Sequence, residues 1–236
     1  MFLNREQAGT LLAKRLAEYI SANPVLDRKL DIVVAALPRG GVPVALEVAR
    51  KFGCRIELIV AQKLPFPGQP ELAIGAVSSD GIVTLNPGLP SDNEWQEYIE
   101  TQRQLLLTRT KQVEQDLYAA AGYKKNALTD KVVFVIDDGV ATGMTAVVAV
   151  ETARRRGAAH VVLAAPVMSL ESYHYLRSHC DNVVALSTPE PFNSVGSHYS
   201  DFDQTTDQEV VAAMKESINF ATQALPQGRE LGAKIV

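Results

Sequence analysis

The feature that most constrains the fold is a run of five apolar residues that ends in two adjacent acids. Residues 132–136 read VVFVI, and Asp137 and Asp138 follow directly. An uninterrupted apolar run rich in β-branched side chains is typical of a central parallel strand that helices cover on both faces. In open α/β sheets, ligands bind beyond the carboxyl ends of such strands. The two acids therefore mark a candidate ligand site.

The loop after the acids reads GVATGMT, and an apolar helical pattern begins at Ala146. Gly139 and Gly143 permit backbone angles and close approaches that a side chain would block. The free N–H groups and the positive dipole end of the following helix face this loop, which favours a bound phosphate. Two carboxylates beside a phosphate suit a sugar phosphate, because acids accept hydrogen bonds from vicinal hydroxyls. A ribose 5-phosphate would fit.

Other phosphate-binding motifs do not match this loop. A Walker A loop needs GxxxxGK[ST] and a dinucleotide-binding loop needs GxGxxG, whereas the letters here are GxxxG without the lysine. A Walker B interpretation of Asp137 would need a P-loop upstream, and the sequence contains none. The remaining alternative is a plain strand-to-helix turn that binds no ligand.

Residues 132–145 resemble the phosphoribosyl diphosphate (PRPP) signature of type I phosphoribosyltransferases, which is a hydrophobic strand, two acids and a G-x-x-x-G-x-T loop. The stretches LPRGGVP, KLPFPGQPELAIGAV and PFNSVGSHYSDFDQTTDQEV also resemble a bacterial subgroup of predicted phosphoribosyltransferases. The resemblance runs from about Arg5 to Val211. It implies a Rossmann-like α/β fold, with a doubly wound, mostly parallel sheet, a flexible lid loop and a small hood.

The resemblance assigns roles to the acids and to the loop. Asp137 and Asp138 would bind the ribose 2′ and 3′ hydroxyls, and the loop would hold the 5′-phosphate. The implied catalytic residues are Asp137, Asp138 and Arg39. No side chain is expected to bind the metal directly, since Mg²⁺ would bridge the ribose hydroxyls and the diphosphate. The implied PRPP-binding residues are Asp137, Asp138, Gly139, Val140, Ala141, Thr142, Gly143, Met144 and Thr145.

A second motif, LPRGGVP at residues 37–43, places a permanent cation and two glycines after an expected buried strand at 32–36. Such a loop favours anions, although a tight turn with a surface arginine explains the same residues. In the family that the sequence resembles, this loop binds pyrophosphate and holds a cis peptide before its basic residue, here Pro38–Arg39. The implied pyrophosphate-binding residues are Pro38, Arg39, Gly40, Gly41 and Lys63.

Residues 63–71 contain three prolines and are predicted to be too interrupted for regular structure, which returns at 72–77 and 82–85. In the family, a mobile loop between the second and third core strands closes over the diphosphate. The resemblance therefore implies a lid at about residues 63–85. Lys63 would contact the diphosphate, and a solvated surface charge is the alternative.

Residues 188–205 follow the last expected core strand and contain several aromatic residues among prolines and a glycine. The resemblance implies that this segment and the N-terminal residues form the hood over the base. Phe192 or Tyr199 would then stack on a planar ring. Anchoring of a long loop to its own core explains these aromatics equally well.

Capping-box spacings predict where three helices begin. The second of these helices would run to about residue 121, roughly 45 Å at the usual rise per residue. Part of it would project toward a partner subunit or over the site. The three spacings are Asn4 with Gln7, Ser91 with Glu94, and Thr206 with Glu209.

At 236 residues the chain is long enough for one α/β core, and a single domain is expected, with the core at about residues 30–187. A net charge of −4 argues against a nucleic-acid backbone as the main ligand. The two cysteines form no CxxC motif, and no apolar run is long enough to span a bilayer. We therefore expect a cytoplasmic protein without a membrane partner. We also expect a homo-oligomer, namely a dimer.

The predicted function is Mg²⁺-dependent transfer of a phosphoribosyl group from PRPP to a nitrogenous base, purine or pyrimidine, with release of pyrophosphate. The resemblance implies this activity and a role in nucleoside salvage and nucleotide metabolism. One alternative is a non-catalytic protein of the same fold that senses PRPP or a nucleotide. Another is a small-molecule kinase or phosphatase that uses the same acids for Mg²⁺.

Overall fold

The computed structural model describes residues 1–23, 26, 31–86, 89–90 and 93–224. Five of its strands, numbered along the chain, form one parallel sheet. They are β1 (Ile32–Ala36), β2 (Ile56–Leu58), β6 (Val132–Ile136), β7 (His160–Val167) and β8 (Asn182–Ser187). The strand order is β2-β1-β6-β7-β8, with β6 at the centre. The predicted doubly wound parallel sheet is confirmed.

Six α-helices lie in the described part of the chain. They are α1 (Arg5–Ser21), α2 (Gly41–Phe52), α3 (Asn93–Ala121), α4 (Met144–Arg155), α5 (Leu170–Leu176) and α6 (Asp207–Ala224). Two predicted caps are formed. The backbone N–H of Gln7 donates to Asn4 Oδ1 at the start of α1, and the backbone N–H of Glu209 donates to Thr206 Oγ1 at the start of α6. The third predicted cap, at Ser91, lies outside the described residues.

The side chains of β6 alternate between two apolar layers, as the period of a strand requires. Phe134 and Ile136 pack in a cluster with side chains of α1, α2 and α6, whereas Val133 and Val135 pack with those of α4 and α5. All five side chains of the strand are fully buried. Helices therefore cover both faces of the sheet, and the acids follow its central, fully buried strand.

A second, three-stranded antiparallel sheet is formed by β3 (Ala61–Phe66), β4 (Gln69–Ser78) and β5 (Val83–Leu85). The prediction that residues 63–71 lack regular structure is wrong. The pairing of β3 with β4 shifts register on both sides of Pro65, so the ladder accommodates the proline. Pro67 and Gly68 form the turn between the two strands.

The small sheet has its own apolar cluster, which includes Leu64, Ile74, Val77 and Leu106 of the long helix α3. The region predicted to be a lid is thus a packed sheet in this structure, and its mobility stays a prediction. The division of the chain into core, lid and hood also stays a prediction. Residues 226–236 lie outside the described part. None of the described helices is long and apolar enough to cross a membrane.

Candidate active site

The acid pair lies directly after the central strand β6, at the carboxyl edge of the sheet. Asp137 is half-buried and Asp138 is buried. The backbone N–H of Asp138 donates to Oδ1 of Asp137 at 2.9 Å, which fixes the first carboxylate. In the described part of the chain, Arg5 is the one side chain that donates a hydrogen bond to the pair. These two hydrogen bonds use Asp137 Oδ1 and Asp138 Oδ2, so the other two carboxylate oxygens of the pair are left to accept from a ligand's hydroxyls.

Burial controls the charge of the acid pair. It raises the pKa of Asp137 well above its ordinary value, and the neighbouring carboxylate of Asp138 raises it further. Burial also raises the pKa of Asp138, although the hydrogen bond and the charge of Arg5 lower it. The pair therefore resists full ionisation without a ligand. Hydroxyl donors or a cation bound beside it would favour the ionised form.

Arg5 is a site residue that the sequence analysis did not identify. It donates Nε–H to Oδ2 of Asp138 at 2.7 Å and Nη1–H to the carbonyl of Asp203 at 2.7 Å. Its guanidinium carbon lies 3.8 Å from the centroid of the Phe202 ring. Arg5 begins α1, where a basic residue opposes the helix dipole. That local mismatch is the sequence signal that could have drawn attention to it.

The loop at residues 139–145 has the backbone that a phosphate site needs. Gly143 has φ of 80°, in the left-handed region that favours glycine. The carbonyl of Ala141 accepts hydrogen bonds from the hydroxyls of Ser169 and Ser172 at 2.8 and 2.6 Å, which fixes the loop against the start of α5. Within the described residues, no backbone carbonyl accepts from the amides of residues 141–145. These amides can therefore bind an anion at the start of α4.

The loop at residues 37–43, here called the Arg39 loop, contacts the acid pair. The peptide between Pro38 and Arg39 is cis, as predicted. A Cβ added at Gly40 would overlap Oδ2 of Asp138, so the loop backbone and the carboxylate are in direct contact. Arg39 is exposed, and its Nη1 lies 3.6 Å from Asp207 Oδ1. An open pocket of about 360 Å³ lies here, lined by Arg5, Arg39, Gly40, Asp138, Phe202, Gln204 and Thr205.

The remaining residues predicted to bind pyrophosphate lie in two places. Gly41 begins α2, and a Cβ there would lie 2.6 Å from the carbonyl oxygen of Ile136. Lys63 lines a different pocket, of about 390 Å³, together with Ala141, Thr142 and Met144 of the phosphate loop. The structure thus places Lys63 beside that loop and apart from the Arg39 pocket. Its role in pyrophosphate binding stays a prediction.

The N-terminal residues pair with the segment predicted to be the hood. Phe2 donates its N–H to the carbonyl of His198 and accepts from the N–H of Ser200, both at 2.8 Å. Tyr199 is buried, and its hydroxyl donates to the backbone carbonyl of Asp138 at 2.6 Å. Its ring also stacks on Phe202, with centroids 5.0 Å apart. Tyr199 therefore anchors the segment to the acid pair.

Phe192 is half-buried, and its ring centroid lies 5.3 Å from that of His198. Neither Phe192 nor Tyr199 lines the pocket that contains Asp138, whereas Phe202 does. The predicted stacking of Phe192 or Tyr199 on a base stays a prediction. Among the described residues, Phe202 is the aromatic residue that lines this pocket.

A family model described as the phosphoribosyl transferase domain matches residues 3–200. This chain therefore belongs to the phosphoribosyl transferase domain family, which confirms the resemblance inferred from the motifs. Solved structures include a similar protein, TT1426 from Thermus thermophilus, at 35% identity and a TM-score of 0.74. That match covers 92% of this chain and 98% of TT1426.

Two similar proteins come from Mycobacterium tuberculosis, strains CDC 1551 and H37Rv, and both are named "Putative phosphoribosyl transferase". Each is 39% identical over 216 residues. The match covers 90% of this chain and 46% of each relative, so the chain spans less than half the length of these curated relatives.

Proposed function

We propose that the chain transfers a phosphoribosyl group from PRPP to a nitrogenous base and releases pyrophosphate. The observation that carries the proposal is the contact between Gly40 and Asp138, which joins the Arg39 loop to the acid pair in one pocket. The phosphate loop continues from the same acids. A cation for the diphosphate, acceptors for the ribose hydroxyls and amides for the 5′-phosphate thus lie in the order in which PRPP presents its groups.

Each group has a separate role in the proposed reaction. Asp137 and Asp138 accept hydrogen bonds from the ribose hydroxyls and stabilise the positive charge that develops on the ring when the glycosidic bond breaks. Arg39 offsets the negative charge of the departing diphosphate. The amides of residues 141–145 and the dipole of α4 hold the 5′-phosphate. Chemical catalysis is therefore mainly electrostatic.

Mg²⁺ belongs to the proposal as the cation that neutralises the diphosphate leaving group when bound. Among the described residues, no group of three or more His, Cys, Asp or Glu side chains could hold a metal ion. The ion would come with the diphosphate of PRPP, and Asp137 and Asp138 would hold the ribose beside it. The site fits such an ion, because burial raises the pKa of both acids and a further positive charge beside them would favour their ionised forms.

We also propose a purine or pyrimidine acceptor, a role in nucleoside salvage and nucleotide metabolism, a cytoplasmic location and a homodimer.

A turnover assay tests whether the chain transfers the phosphoribosyl group. The protein is incubated with PRPP, Mg²⁺ and a panel of purines, pyrimidines and related rings, and released pyrophosphate is measured. At least one base should yield pyrophosphate and a nucleoside monophosphate in equal amounts. Binding of PRPP without turnover across the panel would favour the sensing protein instead.

Asp137→Asn and Asp138→Asn test the assignment of the ribose. Both variants should fold, because burial already favours the uncharged form of each acid. Both should lose most of the thermal stabilisation that Mg²⁺-PRPP gives the wild type, since neutral amides accept weaker hydrogen bonds from the diol. The measurement is the unfolding temperature with and without the ligand. Stabilisation equal to that of the wild type would show that the ribose binds elsewhere.

A further inference from the structure

The side chain of Arg5 connects the N-terminal segment to the acid pair. We propose that Arg5 is a positioning residue of the active site, which holds the Asp138 carboxylate in place for the ribose hydroxyls and makes ribose binding depend on the N-terminal segment. The inference rests on the proposed function, because that function assigns the hydroxyls to the acid pair.

The guanidinium of Arg5 is held on three sides. Its Nε–H donates to Asp138 and its Nη1–H to the carbonyl of Asp203, both at 2.7 Å, while its face covers the ring of Phe202. The side chains of Arg5 and Asp138 are each only 12% exposed. Because a guanidinium is planar and rigid, these three contacts fix its orientation. The carboxylate bonded to it is therefore fixed as well.

Asp138 is held from other directions too. Its Oδ2 contacts the backbone at Gly40, and its own backbone carbonyl accepts the hydroxyl of Tyr199. Tyr199 lies in the segment that pairs with Phe2. Phe2 itself is only three residues before Arg5 in the sequence. Arg5 and Tyr199 thus hold Asp138 from two chain segments that are hydrogen-bonded to each other. If the N-terminal residues leave this position, Asp138 loses its charged partner.

The charges around Asp138 give Arg5 a second effect. The titratable groups that face Asp138 are Asp137 beside it, Arg5 on α1, Tyr199 in the paired segment and Arg39 across the pocket. Burial raises the pKa of Asp138 and Arg5 opposes this effect. Without the cation, two adjacent buried acids would bind a proton at a higher pH. Loss of Arg5 should therefore weaken ribose binding most at low pH.

The experiment compares Arg5→Gln, which removes the charge, with Arg5→Lys, which keeps it. Arg15→Gln is the matched control, because Arg15 lies on the same helix and its side chain is 57% exposed. Calorimetry gives the Kd of Mg²⁺-PRPP between about pH 5.5 and 8.5. We expect Arg5→Gln to bind about ten- to a hundredfold more weakly, with the larger loss at low pH. Arg5→Lys should recover much of the low-pH binding, and Arg15→Gln should match the wild type.

A second readout needs no PRPP. The carboxyl-carbon NMR signal of Asp138 is followed against pH in the free protein, and its apparent pKa should rise in Arg5→Gln but stay near the wild-type value in Arg5→Lys and Arg15→Gln. If the wild type binds no PRPP, the proposed function fails, and an unchanged titration in Arg5→Gln would separately overturn the role of Arg5.

Three other outcomes would also overturn the inference. Equal weakening of binding at every pH, with an unchanged Asp138 titration, would mean that Arg5 only supports the fold. Unchanged affinity in Arg5→Gln would mean that the ion pair is irrelevant to ribose. Tighter binding in Arg5→Gln would mean that Arg5 occupies the place of the hydroxyls and competes with them.

Discussion

At the scale of single residues, the site depends on how closely Gly40 approaches Asp138. Gly40 has φ of −58° and ψ of −33°, which alanine adopts without strain. A Cβ there would nevertheless overlap Oδ2 of Asp138 and would have to displace the carboxylate from Arg5. We therefore predict that Gly40→Ala folds but loses about 1.5 to 3 kcal/mol of PRPP binding, the usual value of a charge-assisted hydrogen bond.

Calorimetry with Mg²⁺-PRPP measures the loss for Gly40→Ala, and thermal unfolding without ligand checks the fold. The two measurements should diverge, with a large change in affinity and a small change in the unfolding temperature. Wild-type affinity in this variant would show that the position of the carboxylate does not matter for binding.

The same residues show how far a sequence can predict a site. Asp137, Asp138 and Arg39 stand in contiguous motifs whose chemistry is local, so their meeting at the sheet edge followed from the order of parallel strands. Arg5 is 133 positions away from Asp138, and their ion pair arises only from the packing of the N-terminal segment on the segment that contains His198 and Ser200. Local patterns do not encode such a contact. The dipole mismatch at the start of α1 indicates only that some partner exists.

At the scale of elements, β2 shows how the edge of the sheet is closed. The backbone N–H groups of Ile56 and Leu58 donate to the hydroxyls of Ser217 and Tyr118 at 3.0 and 2.9 Å. The hydroxyl of Tyr123 donates to the carbonyl of Ile56. These side chains occupy backbone groups that could otherwise pair with another strand.

Glu57 lies within this closed edge and is 1% exposed. Its Oε2 accepts hydrogen bonds from the hydroxyl of Tyr118 and the N–H of Asn126, but burial outweighs them and raises the pKa of Glu57 above its ordinary value of 4.5. A carboxyl whose pKa is raised by folding stabilises the protein below the unfolded pKa, and this stabilisation is lost as the pH rises through the folded pKa. Glu57 thus makes the fold less stable toward alkaline pH.

We predict that Glu57→Gln gains stability relative to the wild type as the pH rises from about 4.5 to 8, by about 1.4 kcal/mol for each unit of pKa elevation. Denaturant unfolding at several pH values measures the difference. Glu18→Gln is the control for the same change of side chain at the surface, because Glu18 is largely exposed. A difference between Glu57→Gln and the wild type that is constant with pH would contradict the raised pKa.

The sequence predicted some strands and helix caps correctly but not the regular structure at residues 63–71, and the reason is physical. The strands at residues 32–36 and 132–136 follow from apolar runs, and the caps at Asn4 and Thr206 follow from residue spacing, because these signals are local. Residues 63–71, which form most of β3 and the start of β4, were predicted to be irregular because prolines normally exclude a ladder. The structure places Pro65 at a register shift and Pro67 in the turn, so the missing N–H groups disrupt little. Only tertiary pairing shows that positions of this kind are available.

At the scale of the whole molecule, the candidate site joins parts of the chain from both ends and from the middle. The pocket is lined by Arg5 near the N-terminus, Asp138 after the central strand and Phe202 beyond the last strand. The Arg39 loop completes it. These four segments must therefore pack together before this pocket forms, and a ligand bound in it should stabilise them together.

Arg39 distinguishes a molecule that handles a diphosphate from one that recognises only a nucleotide. Its side chain is exposed and contacts Asp207 of α6 at 3.6 Å, so Arg39→Ala should leave the fold intact. If the loop binds the diphosphate, the variant should lose about ten- to a hundredfold in PRPP affinity, while its affinity for ribose 5-phosphate should barely change. Calorimetry with PRPP and with ribose 5-phosphate measures the two changes in affinity directly.

Asp207→Asn is the matched control for Arg39→Ala, because it removes the contact with α6 and keeps the cation. Both affinities should stay at the wild-type level in that variant, since the charge that faces the diphosphate is unchanged. Equal weakening of PRPP and ribose 5-phosphate in Arg39→Ala would instead place Arg39 at the 5′-phosphate or in support of the fold. The proposed transfer reaction would then depend on the acid pair, the phosphate loop and Mg²⁺, without a guanidinium from the Arg39 loop for the leaving group.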